Sequence, residues 1–119
     1  MRLDKGARAA GPIVTGFAGR GFKVDGQAVD GGILLTPEAW QLWDGTLTEA
    51  ALEPLLAIKP EFVIVGTGAT LTRPPRDVIA ALDAQGIGIE PMDSRAAARA
   101  WAVLRAEDRW IAAALLPIG

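Results

Sequence analysis

The chain of 119 residues contains no cysteine and no histidine. The first absence removes disulfides, thiolate nucleophiles and thiolate-ligated zinc or iron–sulfur sites. The second removes the commonest general base near neutral pH, the commonest zinc ligand, and with them Ser-His-Asp catalysis. Any catalysis would rest on carboxylates, Lys, Arg, hydroxyls or a borrowed cofactor, and no cofactor is expected. The carboxylates show no clustered spacing suited to a metal. Basic runs are also lacking. Twelve Lys and Arg stand against 14 Asp and Glu, for a formal charge of −2. They nowhere cluster enough to track phosphates, so nucleic-acid binding is not expected. Long apolar runs are missing too. The longest, Trp110 to Leu116, falls far short of the roughly 20 residues a membrane span needs. Met1 to Gly6 carries no apolar core of a signal peptide, which leads to an expectation of a cytoplasmic chain without a membrane span.

What is present suits one folded domain: half the residues are apolar and 22% are charged. Residues 1–11 are small and polar, with Gly6 and Gly11, and are expected to fray, leaving 12–118 as the domain. Ile13, Thr15 and Phe17 alternate with Val14 and Gly16 as in a strand, and Phe22 and Val24 continue the pattern to Asp25-Gly26, a strong hairpin signal. With Ile33-Leu34-Leu35, residues 12–36 read as a small antiparallel unit. Leu52, Leu55 and Leu56 have helical spacing, with Thr48 as a candidate N-cap and Pro54 shortening or breaking the helix.

The second half reads as strand, helix, strand, helix, strand. Phe62-Val63-Ile64-Val65 has the continuous apolar character of a strand covered on both faces. Pro74-Pro75 opens a helix with Val78, Ile79 and Leu82 buried, and Gly86 stands where a left-handed cap is needed. Ile87 and Ile89 form a strand, and Asp93 or Ser94 caps a helix burying Ala97, Trp101 and Leu104, with Arg95 and Arg99 on a solvated face. Trp110 to Leu116 is expected as a central strand, with a tight link before it that suggests an antiparallel direction. This order makes an α/β fold with a mainly parallel sheet and an N-terminal antiparallel hairpin.

Three constellations are candidates for function. Gly66-Thr67-Gly68 leaves a buried strand and precedes a helix, where backbone amides can face an anion. The third glycine of a dinucleotide fingerprint is absent, Leu71 standing in its place, so a tight strand exit is the competing reading. Met92-Asp93-Ser94 follows another strand end and can lie beside it, with Asp93 as a base or, more simply, as a cap. Glu107-Asp108-Arg109 offers an ion pair at a helix end, or an arginine reaching an anionic ligand. Trp40 and Trp43 can anchor a protein interface from one rim, or plug the end of the sheet.

From Val65 onward the order of motifs resembles the family of respiratory complex I assembly factor 3 and the adipogenesis-associated Mth-like domain. The matching residues are Val65-Gly66-Thr67-Gly68, Gly86-Ile87-Gly88-Ile89-Glu90, Met92-Asp93-Ser94, Ala96 to Arg99, Val103 to Glu107 and Ala112 to Leu115. Ile13, Gly21-Phe22, Val24, Gly26 and Trp43 agree more loosely, so the likeness covers about residues 12–118. It implies a three-layer β/α arrangement around a mixed sheet, no family-wide reaction, and hence no catalytic residue. It also implies a protein partner, among subunits of a respiratory or other inner-membrane complex, and a peripheral place at that membrane. The chain departs from the family pattern at Ser94 (often Thr), at Ala100-Trp101-Ala102 (a Thr-Tyr-Asn run) and at Asp108 (Gly). The expectation is therefore an interaction protein resembling an assembly factor. The alternative is a small-ligand or anion-binding protein, or an enzyme, using the crevice between Gly66-Gly68 and Met92-Ser94.

Overall fold

Strands β1 (Val14–Ala18), β2 (Gly21–Val24) and β3 (Gln27–Val29) form an antiparallel sheet in that order. Asp25 and Gly26 join the last two with φ of 53° and 83°, left-handed at both positions as a two-residue hairpin turn requires. The computed structural model describes residues 11–118. The expected fraying of residues 1–11 thus falls, apart from Gly11, outside the described residues.

The next strand, β4 (Gly32–Leu35), was grouped with this hairpin by the sequence pattern, but it belongs to a second sheet. All four of its residues are buried, and a strand apolar on both faces needs cover on both sides. It pairs antiparallel with β5 (Trp40–Trp43) on one side. Helix α1 (Glu53–Leu56) follows, with Pro54 in its first turn, where the missing N–H costs nothing. Thr48 caps the turn before it, accepting the Ala51 N–H at 3.1 Å, instead of capping α1 itself.

The remaining elements are β6 (Phe62–Gly66), α2 (Arg76–Ala84), β7 (Gly88–Met92), α3 (Ser94–Ala106) and β8 (Ala112–Leu115). The five-stranded sheet has the order β5-β4-β8-β6-β7. Strand β8 is central as expected, but it runs parallel to β6 and antiparallel only to β4. A helix of 13 residues spans about 20 Å, enough to carry the chain back to the starting edge of the sheet, so the short final link does not reverse the strand. Its first residues also differ from expectation: Trp110 precedes the strand and is partly exposed.

Both longer helices end in a left-handed residue. Gly86 (φ 75°) closes α2, with Ile87 N–H bonded to the Leu82 carbonyl at 3.0 Å and Gly86 N–H to that of Asp83 at 2.9 Å. Asp108 (φ 61°) closes α3 with the same pair of bonds, Arg109 to Leu104 and Asp108 to Arg105.

Three layers result. Side chains alternate through the five-stranded sheet. Ile33, Leu35, Ile64, Ala113 and Leu115 face α3 and the three-stranded sheet, around Phe22, Val24, Ala97 and Trp101. Leu34, Val63, Val65, Ala112 and Ala114 face Leu52, Leu55 and Leu56 around α1 and Val78 and Leu82 of α2. Trp101 ties β1 to the fold by donating its indole N–H to the Pro12 carbonyl at 2.9 Å. Among the described residues no helix is long and apolar enough to cross a membrane.

Candidate functional site

The carboxyl ends of parallel strands are where open α/β sheets bind ligands, and β6, β7 and β8 end together here. The structure brings Gly66-Thr67-Gly68 and Met92-Asp93-Ser94 side by side, as their spacing implied. The donors at this junction are directed inward. Thr67 N–H bonds to the Met92 carbonyl at 2.9 Å, and Ser94 N–H to the Gly68 carbonyl at 2.8 Å. The Ser94 side chain, fully buried, accepts the Gly68 N–H at 2.9 Å and donates to the Leu116 carbonyl at 2.6 Å. Leu116 N–H returns to the Gly66 carbonyl at 2.9 Å. One hydroxyl therefore joins the exits of β6 and β8 to the start of α3.

The loop beyond is closed by its own side chain. Thr67 Oγ1 donates to the Thr70 carbonyl at 2.7 Å and accepts the Thr72 N–H at 3.0 Å. Asp93 Oδ1 accepts the Ala96 N–H at 3.0 Å, an N-cap that satisfies one of the open amides of α3. Gly66 is needed for close approach. A Cβ there would lie 2.8 Å from Ser94 Oγ, 2.9 Å from Leu115 Cδ2 and 3.1 Å from Ala97 Cβ. Gly68 adopts φ 98°, a conformation that glycine takes without steric cost. The tight strand exit describes this segment, and its Thr67 and Gly68 amides are taken up within the chain.

Glu107 and Arg109 lie elsewhere. Arg109 meets Glu61 just before β6, while Gly66 ends that strand five residues on, about 16 Å further along at 3.3 Å per residue. Of the Glu107-Asp108-Arg109 run, Asp108 lies 3.8 Å from Arg105 at the helix end, and Arg109 forms a two-pronged pair with Glu61. Arg109 Nη2 approaches Glu61 Oε1 at 2.7 Å and Nε lies 3.2 Å from the same oxygen. The hydrogen bond from Arg109 holds the Glu61 carboxyl below the usual glutamate range, and Glu61 in turn raises the guanidinium. The Arg109 guanidinium also stacks 5.8 Å from the Phe62 ring. Glu107 remains exposed.

The two tryptophans do not share a rim. Strand alternation turns residues three apart to opposite faces, so Trp40 packs beside the α3 layer and Trp43 enters the core of the α1–α2 layer. Trp43 is 7% exposed and its indole N–H bonds to the Thr46 carbonyl at 2.9 Å. Trp40 is half-buried and borders two hollows. One, of about 600 Å³, is shared with Pro12, Asp25 and Glu38; the other, of about 190 Å³, with Leu34, Pro54 and Ile58.

Three features escaped the sequence reading. Leu42, between the tryptophans, is 65% exposed. Arg105 is 6% exposed and bonds the Arg109 carbonyl at 2.6 Å. Its place four residues after Trp101, on the same helix face, was the available signal. Glu61 had none, being 48 residues from its partner. Among the described residues no three carboxylates gather as a metal site would require.

The family described as "Protein of unknown function (DUF498/DUF598)" matches residues 14–116. An uncharacterized protein of Rhodobacter capsulatus is 36% identical over 115 residues, 97% of this chain and 91% of its own length. The NADH dehydrogenase [ubiquinone] 1 alpha subcomplex assembly factor 3 of Danio rerio is 31% identical over 115 residues, covering 92% of this chain. This chain spans only 66% of that protein's length. A solution structure from Bordetella pertussis, a Mth938-like domain, superposes with a TM-score of 0.77 over 100% of this chain and 91% of its own, at 24% identity. That likeness establishes the fold.

Proposed function

We propose that this chain, which belongs to the DUF498/DUF598 family, works by binding a protein partner and assists the assembly of a respiratory or other inner-membrane complex. The observation that carries the reading is its 31% identity, over 92% of its length, to a complex I assembly factor. Internal closure of the junction at Ser94 supports it, because the amides best placed for an anion are already bonded within the chain. The partner is a subunit of the complex being assembled, met peripherally at the membrane. Trp40, half-buried and bordering two hollows, is retained as a contact residue. Trp43 has its main role in the core.

The test is a deletion strain together with a mild, native affinity purification from membranes and cytosol. The reading expects respiratory or other inner-membrane subunits to co-purify, and the corresponding complex to fall in the deletion strain. Unchanged complex levels with no such partner recovered would overturn it.

A further inference from the structure

The two outer strands of the five-stranded sheet are guarded very differently. On β7, Thr67 N–H bonds to the Met92 carbonyl and Gly88 N–H to that of Glu61, so Gly88 and Met92 turn their backbone toward β6. Period-two alternation then turns Ile89 and Pro91 outward, and Pro91 has no N–H to offer an incoming strand. That edge is blunted by proline, with the exposed Glu90 beside it.

Strand β5 has no such device. It reads Trp-Gln-Leu-Trp, without charge or proline. Thr36 N–H bonds to the Ala39 carbonyl at 2.9 Å. Stepping along the register Leu35↔Trp40, Leu34↔Gln41, Ile33↔Leu42 makes Gln41 a hydrogen-bonded partner of β4 and turns the N–H and C=O of Trp40 and Leu42 outward. The same two residues direct their side chains to one face, where Leu42 is 65% exposed.

We propose that β5 pairs antiparallel with β5 of a second copy of this chain, on a two-fold axis through Leu42, so that two five-stranded sheets become one continuous sheet. Self-complementarity argues for a second copy. Three registers set outward groups against outward groups: Trp40 opposite Trp40, Trp40 opposite Leu42, and Leu42 opposite Leu42. The first needs the Glu38 N–H opposite Leu42, and Thr36 Oγ1 already accepts it at 3.3 Å. With Trp40 opposite Leu42, Glu38 and the partner's Asp44, each just beyond the end of its strand, come together twice, and like charges brought together there oppose the pairing. With Leu42 opposite Leu42, Glu38 meets Thr46 and Trp40 meets Asp44, and the clash is gone. Trp40 then lies diagonal to the partner's Leu42, within reach of an aromatic ring, and the exposed leucines cover each other. A junction of three strand residues from each copy is small, so the association is weak.

Sedimentation velocity at about 0.5 mM suits such an interface, because contacts below roughly 1,200 Å² are weak. The wild type is expected to approach twice the chain mass. Leu42→Lys sets two ammonium groups opposite each other and is expected to raise the dissociation constant about tenfold or more, which is about 1.4 kcal/mol. Its urea midpoint should not change, since the side chain is exposed. The absence of native cysteine makes a second measurement clean: Leu42→Cys is expected to oxidise to a disulfide-linked pair, whereas Glu90→Cys on the other edge is not. A wild type that stays monomeric at this concentration overturns the proposal. So does Glu90→Cys linking as readily as Leu42→Cys, or a Leu42→Cys chain that links in extracts to a different protein and not to itself.

Discussion

Replacing Ser94 with Ala removes one oxygen atom and breaks two bonds. Gly68 N–H loses its acceptor at 2.9 Å and the Leu116 carbonyl loses its donor at 2.6 Å. Ser94 itself is fully buried, so the orphaned Gly68 amide has no route to water. Leu116 is half-buried, and its carbonyl recovers part of the loss from solvent. One buried donor left unpaired costs about 1–3 kcal/mol, and that sets the expected destabilisation. For a domain near 100 residues each kcal/mol moves the midpoint by about 4–8 °C, so thermal melting reads it easily. Urea unfolding followed by tryptophan fluorescence should show a lower midpoint with an unchanged slope.

Gly66→Ala tests the same junction from its other side. The new Cβ meets three atoms at 2.8–3.1 Å, an overpacking worth about 1–3 kcal/mol. The nearest of them is Ser94 Oγ, so the double variant should cost less than the sum of the two, as expected for residues in contact. A Ser94→Ala protein within about 0.5 kcal/mol of wild type would refute the reasoning, that being the range of an ordinary surface change. If it also lost binding to an anion such as phosphate, the strand exit would have to be reread as a ligand turn.

The other expectations concern the core, the surface pair and a helix end. Ile64→Ala, fully buried on β6, should cost about 2–5 kcal/mol by urea unfolding, and a cost below 1 kcal/mol would remove it from the core. Trp43→Ala should cost about 3–5 kcal/mol. Trp40→Ala should cost less while weakening partner capture, and the reverse ordering would count against the placement. Glu61 has a lowered folded pKa, so its pair with Arg109 stabilises above the ordinary value of 4.5 and stops doing so as pH falls through the folded value. The gap in urea midpoint between wild type and Glu61→Gln should therefore be present near neutrality and narrow as pH falls below 4.5; a gap that widens with acid would contradict the linkage. Asp108→Gly relieves a left-handed residue, worth roughly 1–2 kcal/mol, against glycine's unfolded-state entropy of roughly 0.5–1 kcal/mol. A net gain of about 0.5–1 kcal/mol is expected, and a loss would mean that the exposed Asp108, 3.8 Å from Arg105, matters more than its backbone.

Where local chemistry determines local structure, the chain could be read directly. Asp25-Gly26 admits few conformations, and it turns as expected. Phe62 to Val65 is apolar without a break, and it lies between two covering layers. Sheet membership was harder, because Ile33-Leu34-Leu35 pairs with β8, some 80 residues away, and nothing between Pro37 and Asp44 announces a partner. Four residues that alternate only loosely did not declare β5 as a strand. Its register decided what the tryptophans do, and spacing alone had left them on one rim. The site residues divided in the same manner. Spacing placed Gly66, Gly68, Asp93 and Ser94 at neighbouring strand ends, yet gave no hint that Ser94 Oγ would take up the amide on which an anion site depends. Arg109 pairs with Glu61 because the backbone brings the two segments together, Glu61 N–H bonding to the Trp110 carbonyl at 2.9 Å, a fact of topology.

The polar groups of this sheet are unevenly committed, and that bears on what the fold can do. At the carboxyl ends of β6 and β8, donors and acceptors meet one another through Ser94, and α3 is drawn so close that Gly66 has no room for a methyl group. Opening that junction to a ligand would break several bonds inside a packed layer. At β5, by contrast, the backbone of Trp40 and Leu42 faces away from β4, and the side chain between the two tryptophans is exposed. Pairing there breaks no bond among the described residues, and adds main-chain hydrogen bonds that are indifferent to side-chain identity. A chain without histidine or cysteine, closed where α/β proteins usually do chemistry and open where sheets extend, has its free bonding capacity at an edge. This agrees with the proposed association, and it puts the decisive measurement on Leu42 and the strand that carries it.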